Sequence, residues 1–167
     1  MIHQGEAMKP LRVYLDASAF GGPFDPEFSA PSEKLFERFS QGALALLVSD
    51  TLIGEIADAP EEVQDLLDRT MRAGVEHVPL TQEAIALRQA YLKARVVTPK
   101  YADDALHVAQ ATIARADVIA SWNFRHLVNP LRVRAFNGVN VAHGYGIVVI
   151  LTPEDVIKTL EMRNESR

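Results

Sequence analysis

The sequence predicts a three-layer α/β/α domain around a mainly parallel sheet. Short, uninterrupted apolar runs alternate with amphipathic segments of helical period, no internal repeat is present, and acids or amides close the apolar runs. Buried parallel strands read as continuous hydrophobic runs because both faces are covered. Leu11–Leu15, Ala43–Val48, Asp117–Ser121 and Ile147–Leu151 fit that description, and Val75–Pro79 is a further strand candidate. The glycine- and proline-rich stretch Gly21–Pro26 reads as a loop. Ser32 is expected to cap a helix to about Gln41, with Leu35, Phe36 and Phe39 on one face and Gly42 as its stop.

The remaining elements follow in order. Ser49 or Asp50 can cap a short helix through Glu55, and Glu61–Arg72 is amphipathic with Gly74 at its end. Thr81 caps a helix to Ala94. Val96–Pro99 interrupts, and Tyr101–Ala116 forms a long alanine-rich helix, with Thr98 as its expected cap and Pro99 as its first residue. That boundary places Asp103 and Asp104 beyond the first turn, where stabilisation by the helix dipole fades. The stretch from Asn123 to Tyr145 has no readable period. Thr152 and Pro153 start a closing helix. The expected organisation is a disordered lead-in over residues 1–8, with Met8 a second candidate start, one domain over 9–160, and a tail over 161–167.

Composition narrows the function classes. A chain of 167 residues that is 48% hydrophobic can bury one good core. Its net charge of −5 excludes a generally basic nucleic-acid binder, but no Asp or Glu falls between Val118 and Pro153, where Arg125, Arg132 and Arg134 lie. The absence of cysteine excludes disulfides, thiolate zinc sites and a cysteine nucleophile. No apolar stretch reaches a membrane span and no signal-peptide pattern opens the chain, so a cytoplasmic protein is expected.

Asp16 closes the first strand, Glu55 follows the second, Asp103 and Asp104 open a helix, and Asn123 closes a later strand. In an open α/β sheet such positions converge at the carboxyl ends of the strands. Carboxylates gathered in one cleft repel one another unless a hard cation lies among them, which points to Mg²⁺ or Mn²⁺. Each acid alone has an ordinary reading as a cap or solvated charge, and periodicity leaves Asp103 and Asp104 both open.

Taken together, Val13-Tyr-Leu-Asp16-Ala-Ser18, Glu55, Asp104-Ala-Leu-His-Val-Ala109 and Asp117-Val-Ile-Ala-Ser-Trp-Asn123 resemble the motif series of PIN domains, nearest to the small VapC-type toxins. The likeness runs from about residue 11 to 157. It implies a metal-dependent endoribonuclease that cleaves single-stranded RNA with a metal-activated water. Asp16, Glu55 and Asp104 are the implied metal ligands, with Asn123 as the fourth site residue, a position that is often Asp in the family. The resemblance selects Asp104 over Asp103 and implies a homodimer silenced by an antitoxin protein, with the 32–41 and 61–72 helices as candidate contact surfaces.

Ser18, Lys100, Arg125, Arg132 and Arg134 are candidate RNA contacts. Trp122 and Phe124 fit base stacking but fit core packing better, and a lone His107 reads as packed in its helix. Asp117, at the start of its strand, reads as structural. A haloacid-dehalogenase-type phosphatase would need a second Asp where Ser18 stands. A non-catalytic PIN-like scaffold binding RNA or protein is the alternative, resting on Asn123.

Overall fold

The computed structural model describes residues 9–166. The expected lead-in over 1–8 and the final residue lie outside them. Five strands, β1 (Leu11–Leu15), β2 (Leu44–Ser49), β3 (Glu76–Val78), β4 (Val118–Ala120) and β5 (Ile150–Leu151), form one sheet in the order β3-β2-β1-β4-β5. Every neighbouring pair is parallel, with Val13 opposite both Leu46 and Val118.

The two faces of β1 feed two cores. Tyr14 packs with Tyr91, Val108, Ile119 and Phe136 on one face. Val13 and Leu15 pack with Phe20, Leu35, Leu52 and Ile157 on the other. Helices α5 (Gln82–Lys93), α6 (Ala102–Ile113) and α7 (Pro130–Ala142) cover the first face. Helices α1 (Ala17–Gly21), α2 (Ser29–Ser40), α3 (Asp50–Ile56), α4 (Glu61–Ala73) and α8 (Pro153–Glu165) supply the second. The result is the expected three-layer α/β/α arrangement.

Topology fixes where a ligand can enter. The chain runs outward from β1 through β2 to β3, then crosses back to place β4 on the other side of β1. Helices leaving β1 and β4 diverge there, so the crevice opens at the carboxyl ends of these two strands. Asp16 immediately follows β1 and Ser121 immediately follows β4.

Several boundaries depart from the sequence reading, each for a local reason. The supposed loop at 21–26 begins as the end of α1, whose N-cap is Asp16, and continues as a 3-10 turn over Gly22–Phe24. Helix α2 starts at Ser29, not at a cap on Ser32, whose hydroxyl instead accepts the Trp122 indole N–H at 2.8 Å. A 3-10 turn over Pro99–Tyr101 precedes α6, and Thr98 makes no side-chain cap. Asp103 and Asp104 therefore lie in the first turn of α6, where the helix dipole does favour acids.

Helix α7, hidden in the unreadable stretch, is capped by Asn129, whose Oδ1 accepts from the N–H groups of Leu131 and Arg132, with Pro130 at its start. Helix α8 continues to Glu165, past the expected domain boundary at 160, since Val156, Ile157 and Leu160 anchor it on the sheet. Among the described residues no helix is long and apolar enough to cross a membrane.

One glycine is set by close approach. A Cβ on Gly22 would collide with the Ser32 hydroxyl and lie 2.7 Å from the Trp122 indole nitrogen. Gly22→Ala is expected to break the Trp122–Ser32 bond and cost about 1–3 kcal/mol. Thermal denaturation measures it, and an unchanged midpoint would show that this junction yields freely.

Candidate active site

The site is built from the ends of β1 and β4 and the first two turns of α6. Asp16 is almost fully buried, with 5% of its surface exposed. Its Oδ1 accepts from Ser18 Oγ at 2.7 Å and from the Ala19 N–H at 3.2 Å, and its Oδ2 accepts from Ser121 Oγ at 2.6 Å. Burial pushes the Asp16 carboxyl up from the usual range, opposed by the bonds from Ser121, Ser18 and Ala19 and by His107. Ser121 is further fixed by the Asn123 N–H, which donates to its oxygen at 2.9 Å.

Asp104 is half-buried and its carboxyl is also pushed up, first by burial. His126 and His107 favour its charged form, while Asp16 disfavours it. The two acids, 88 positions apart in sequence, are thus close enough for the charge of Asp16 to raise the Asp104 carboxyl. Asp103 is exposed on the same turn.

Glu55 reaches this region but is held by a histidine. His107 Nε2 lies 2.9 and 3.1 Å from the two Glu55 oxygens. Its Nδ1 lies 2.7 Å from the hydroxyl of Tyr14, which donates to Ser49 Oγ at 2.9 Å. The ring thus bridges the Tyr14 hydroxyl and the Glu55 carboxylate, one nitrogen to each. Burial alone would lower the His107 pKa. The Glu55 hydrogen bond and the charges of Glu55, Asp16 and Asp104 outweigh it and raise the value.

His107 is therefore packed in its helix, as the sequence suggested, and is also the partner that orients Glu55. That role left no sequence signal, because it depends on α3 and α6 meeting. Ser121 was likewise invisible as an Asp16 partner until β4 lay beside β1.

Asn123 lies between structure and site. Its Oδ1 accepts the His126 N–H at 3.0 Å and its backbone carbonyl accepts from Leu127 and Val128. With the oxygen committed, the amide nitrogen is the group left to Asp104, whose charged form Asn123 favours. Ser18 is similarly engaged: besides bonding Asp16, its oxygen accepts the Trp122 N–H at 2.8 Å.

The basic candidates divide. Lys100 and Arg125 are exposed and lie 5.6 and 5.8 Å from the Tyr101 ring centroid. Arg132 is half-buried, its guanidinium donating to the Val96 carbonyl, which ties α7 to the loop before α6. Arg134 is exposed on α7. Trp122 stacks on Phe28 at 4.3 Å, whereas Phe124 is 51% exposed. Asp117 accepts the Arg12 N–H at 2.8 Å at the opposite end of the sheet, a structural use.

Among the described residues no three His, Cys, Asp or Glu side chains stand together as a ready metal cage. The donor chemistry of Asp16 and Asp104 nonetheless fits a hard divalent cation: oxygen ligands, one buried and one half-buried, and mutually repelling without one. Glu55 joins them only by exchanging His107 for the ion. A cavity of about 490 Å³ between the end of α6 and the segment Gly144–Val148 contains none of these acids.

The fold has a solved counterpart. The chain is similar to FitAcB from Neisseria gonorrhoeae, with a TM-score of 0.52 and 14% identity, over 84% of this chain and 97% of that one. No family model and no curated protein matches it. The architecture is the PIN-like α/β/α fold.

Proposed function

We propose that this protein is a metal-dependent endoribonuclease that hydrolyses phosphodiester bonds of single-stranded RNA. The observation that carries this reading is the pairing of Asp16 and Asp104, two carboxyls desolvated in one cleft at the strand crossover. Desolvated like charges are costly, and binding of Mg²⁺ or Mn²⁺ is the chemistry that makes such a pair useful. Asp16, Asp104 and, once released from His107, Glu55 would hold the ion. When bound, it supplies Lewis-acid activation of water and offsets charge gathering on the phosphate.

The chain's own residues set the rest. Ser18 and Ser121 fix the rotamer of Asp16. Asn123 favours the charged form of Asp104, and the His107–Tyr14–Ser49 chain keeps Glu55 within reach. The similarity of fold to FitAcB supports a toxin of VapC type; the cytoplasmic location, the homodimer and the silencing antitoxin rest on the family resemblance of the sequence motifs.

A second reading has its own observation. With Glu55 paired to His107 and no three-ligand cage among the described residues, the chain would instead be a scaffold that binds RNA or protein without cutting it. Incubation of purified protein with single-stranded RNA and Mn²⁺ separates the two. The nuclease reading expects cleavage that stops with EDTA and is largely lost in Glu55→Gln and Asp104→Asn proteins whose circular dichroism is unchanged. Binding without cleavage by the wild type selects the scaffold.

A further inference from the structure

Two aromatic groups near the site differ from core aromatics, one on the turn before α6 and one on the loop after β4. Tyr101, three residues before Asp104, stacks on His126 with ring centroids 3.7 Å apart. Lys100 and Arg125 both stand over that ring and make no ion pair among the described residues. Neither is among the charges that stabilise Asp104. Two unneutralised cations thus flank an aromatic ring at the rim of an acidic cleft, in a protein of net charge −5. On the other side, Phe124 is half exposed, braced at 6.1 Å by Trp122 and at 6.2 Å by Phe28.

The loop after β4 is held firmly. Trp122 is tied through its N–H to Ser18 and through its indole to Ser32, and the Asn123 side chain closes the turn onto His126. A braced, exposed Phe124, adjacent in sequence to one of two unpaired cations that share the Tyr101 ring, suits one kind of ligand, a chain that alternates flat bases with negative phosphates. A protein partner would match the aromatic but leave the cations without a regular counter-charge.

We propose that Lys100 and Arg125 hold the phosphate next to the one cleaved, and that Phe124 stacks a flanking base of single-stranded RNA. This rests on the nuclease reading and names the residues that position its substrate. The arrangement also answers the repulsion an acidic cleft exerts on RNA, since the cations sit at the rim and leave the Asp16–Asp104 pair unneutralised.

Fluorescence anisotropy of a short labelled single-stranded RNA on the full-length protein, in EDTA so that nothing is cut, tests it. Phe124→Ala is expected to weaken binding about 5- to 100-fold with an unchanged salt slope, while Phe124→Trp retains affinity. Lys100→Gln and Arg125→Gln should each flatten the salt slope by about 0.7. An RNA with an abasic residue at the stacked position should bind the wild type more weakly and the Phe124→Ala protein equally.

Wild-type affinity in all three variants would overturn the proposal. So would RNA affinity untouched by Phe124→Ala when light scattering shows a changed oligomeric state, which would make Phe124 a protein contact. Because binding is read without metal, loss of cleavage in the acid variants leaves this result independent. A protein that binds as expected but never cuts RNA would fail the nuclease reading alone.

Discussion

Asp16→Asn is expected to abolish RNA cleavage and, in metal-free buffer, to make the protein more stable. The two effects have one cause. Burial holds the Asp16 carboxyl above its usual range, so the folded state binds the proton more tightly than the unfolded chain. A group of that kind costs no stability below its unfolded pKa, and its penalty grows as pH rises through the folded value. As pH rises toward neutrality the wild type accumulates that penalty, together with repulsion between Asp16 and Asp104. The neutral amide removes both and still offers an oxygen to the Ala19 N–H.

A rise of about 2–6 °C in melting temperature at pH 7 is expected, with cleavage down by about a thousandfold, the equivalent of several kcal/mol of transition-state stabilisation. Mn²⁺ should raise the melting point of the wild type and leave that of the variant nearly unchanged. Differential scanning fluorimetry with and without EDTA reads all of this. A variant that melts lower and still responds to Mn²⁺ would remove Asp16 from the site.

The second large effect is at His107. It is 2% exposed and is wedged between the Tyr14 hydroxyl and the Glu55 carboxylate, with the Tyr14 ring edge-on at 5.7 Å. His107→Ala would leave a cavity beside Tyr14 and strip Glu55 of its counter-charge. Tyr14 keeps Ser49, and Glu55 is partly open to water, so the loss is smaller than for a fully buried ion pair. The expected cost is about 2–4 kcal/mol, or about 5–12 °C in melting temperature. Chemical denaturation would measure it. A change under about 0.5 kcal/mol, as at ordinary surface sites, would show that His107 does not hold Glu55.

Those two residues mark how far the sequence could be read. Asp16 stood out because it ends an apolar run, and a run buried on both faces can only be an inner strand whose end faces a crevice. His107 did not, because its partners arrive from β1 and α3, and only the packing of α6 on β1 brings them together. Glu55 was singled out from its place after the second strand, yet its engagement by His107 is a tertiary fact. Arg132 read as a free cation from its neighbours in sequence, but the Val96 carbonyl, 36 positions away, takes its guanidinium.

The same division holds for the elements. Helix α4 was legible to its ends, because its apolar face repeats at helical period and Gly74, with φ of 98°, stops it. Helix α7 was not. Its sequence contains Gly138, two asparagines after the cap and valines, all weak helix formers, so local propensity supplies little. Its anchor is tertiary: Phe136 is edge-on to Tyr91 at 4.9 Å, and Asn140 accepts from the Tyr91 hydroxyl and donates to Thr112 Oγ1 at 3.1 Å.

What the sequence determined by itself was therefore the alternation of strands and helices, the burial of the first strand on both faces, and the short set of acids at element ends. Each depends only on period and local chemistry. The tertiary structure decided which acids share a cleft, which are already partnered, and which cations stay free. Those are questions of distance between residues far apart in the chain, and no local pattern encodes them.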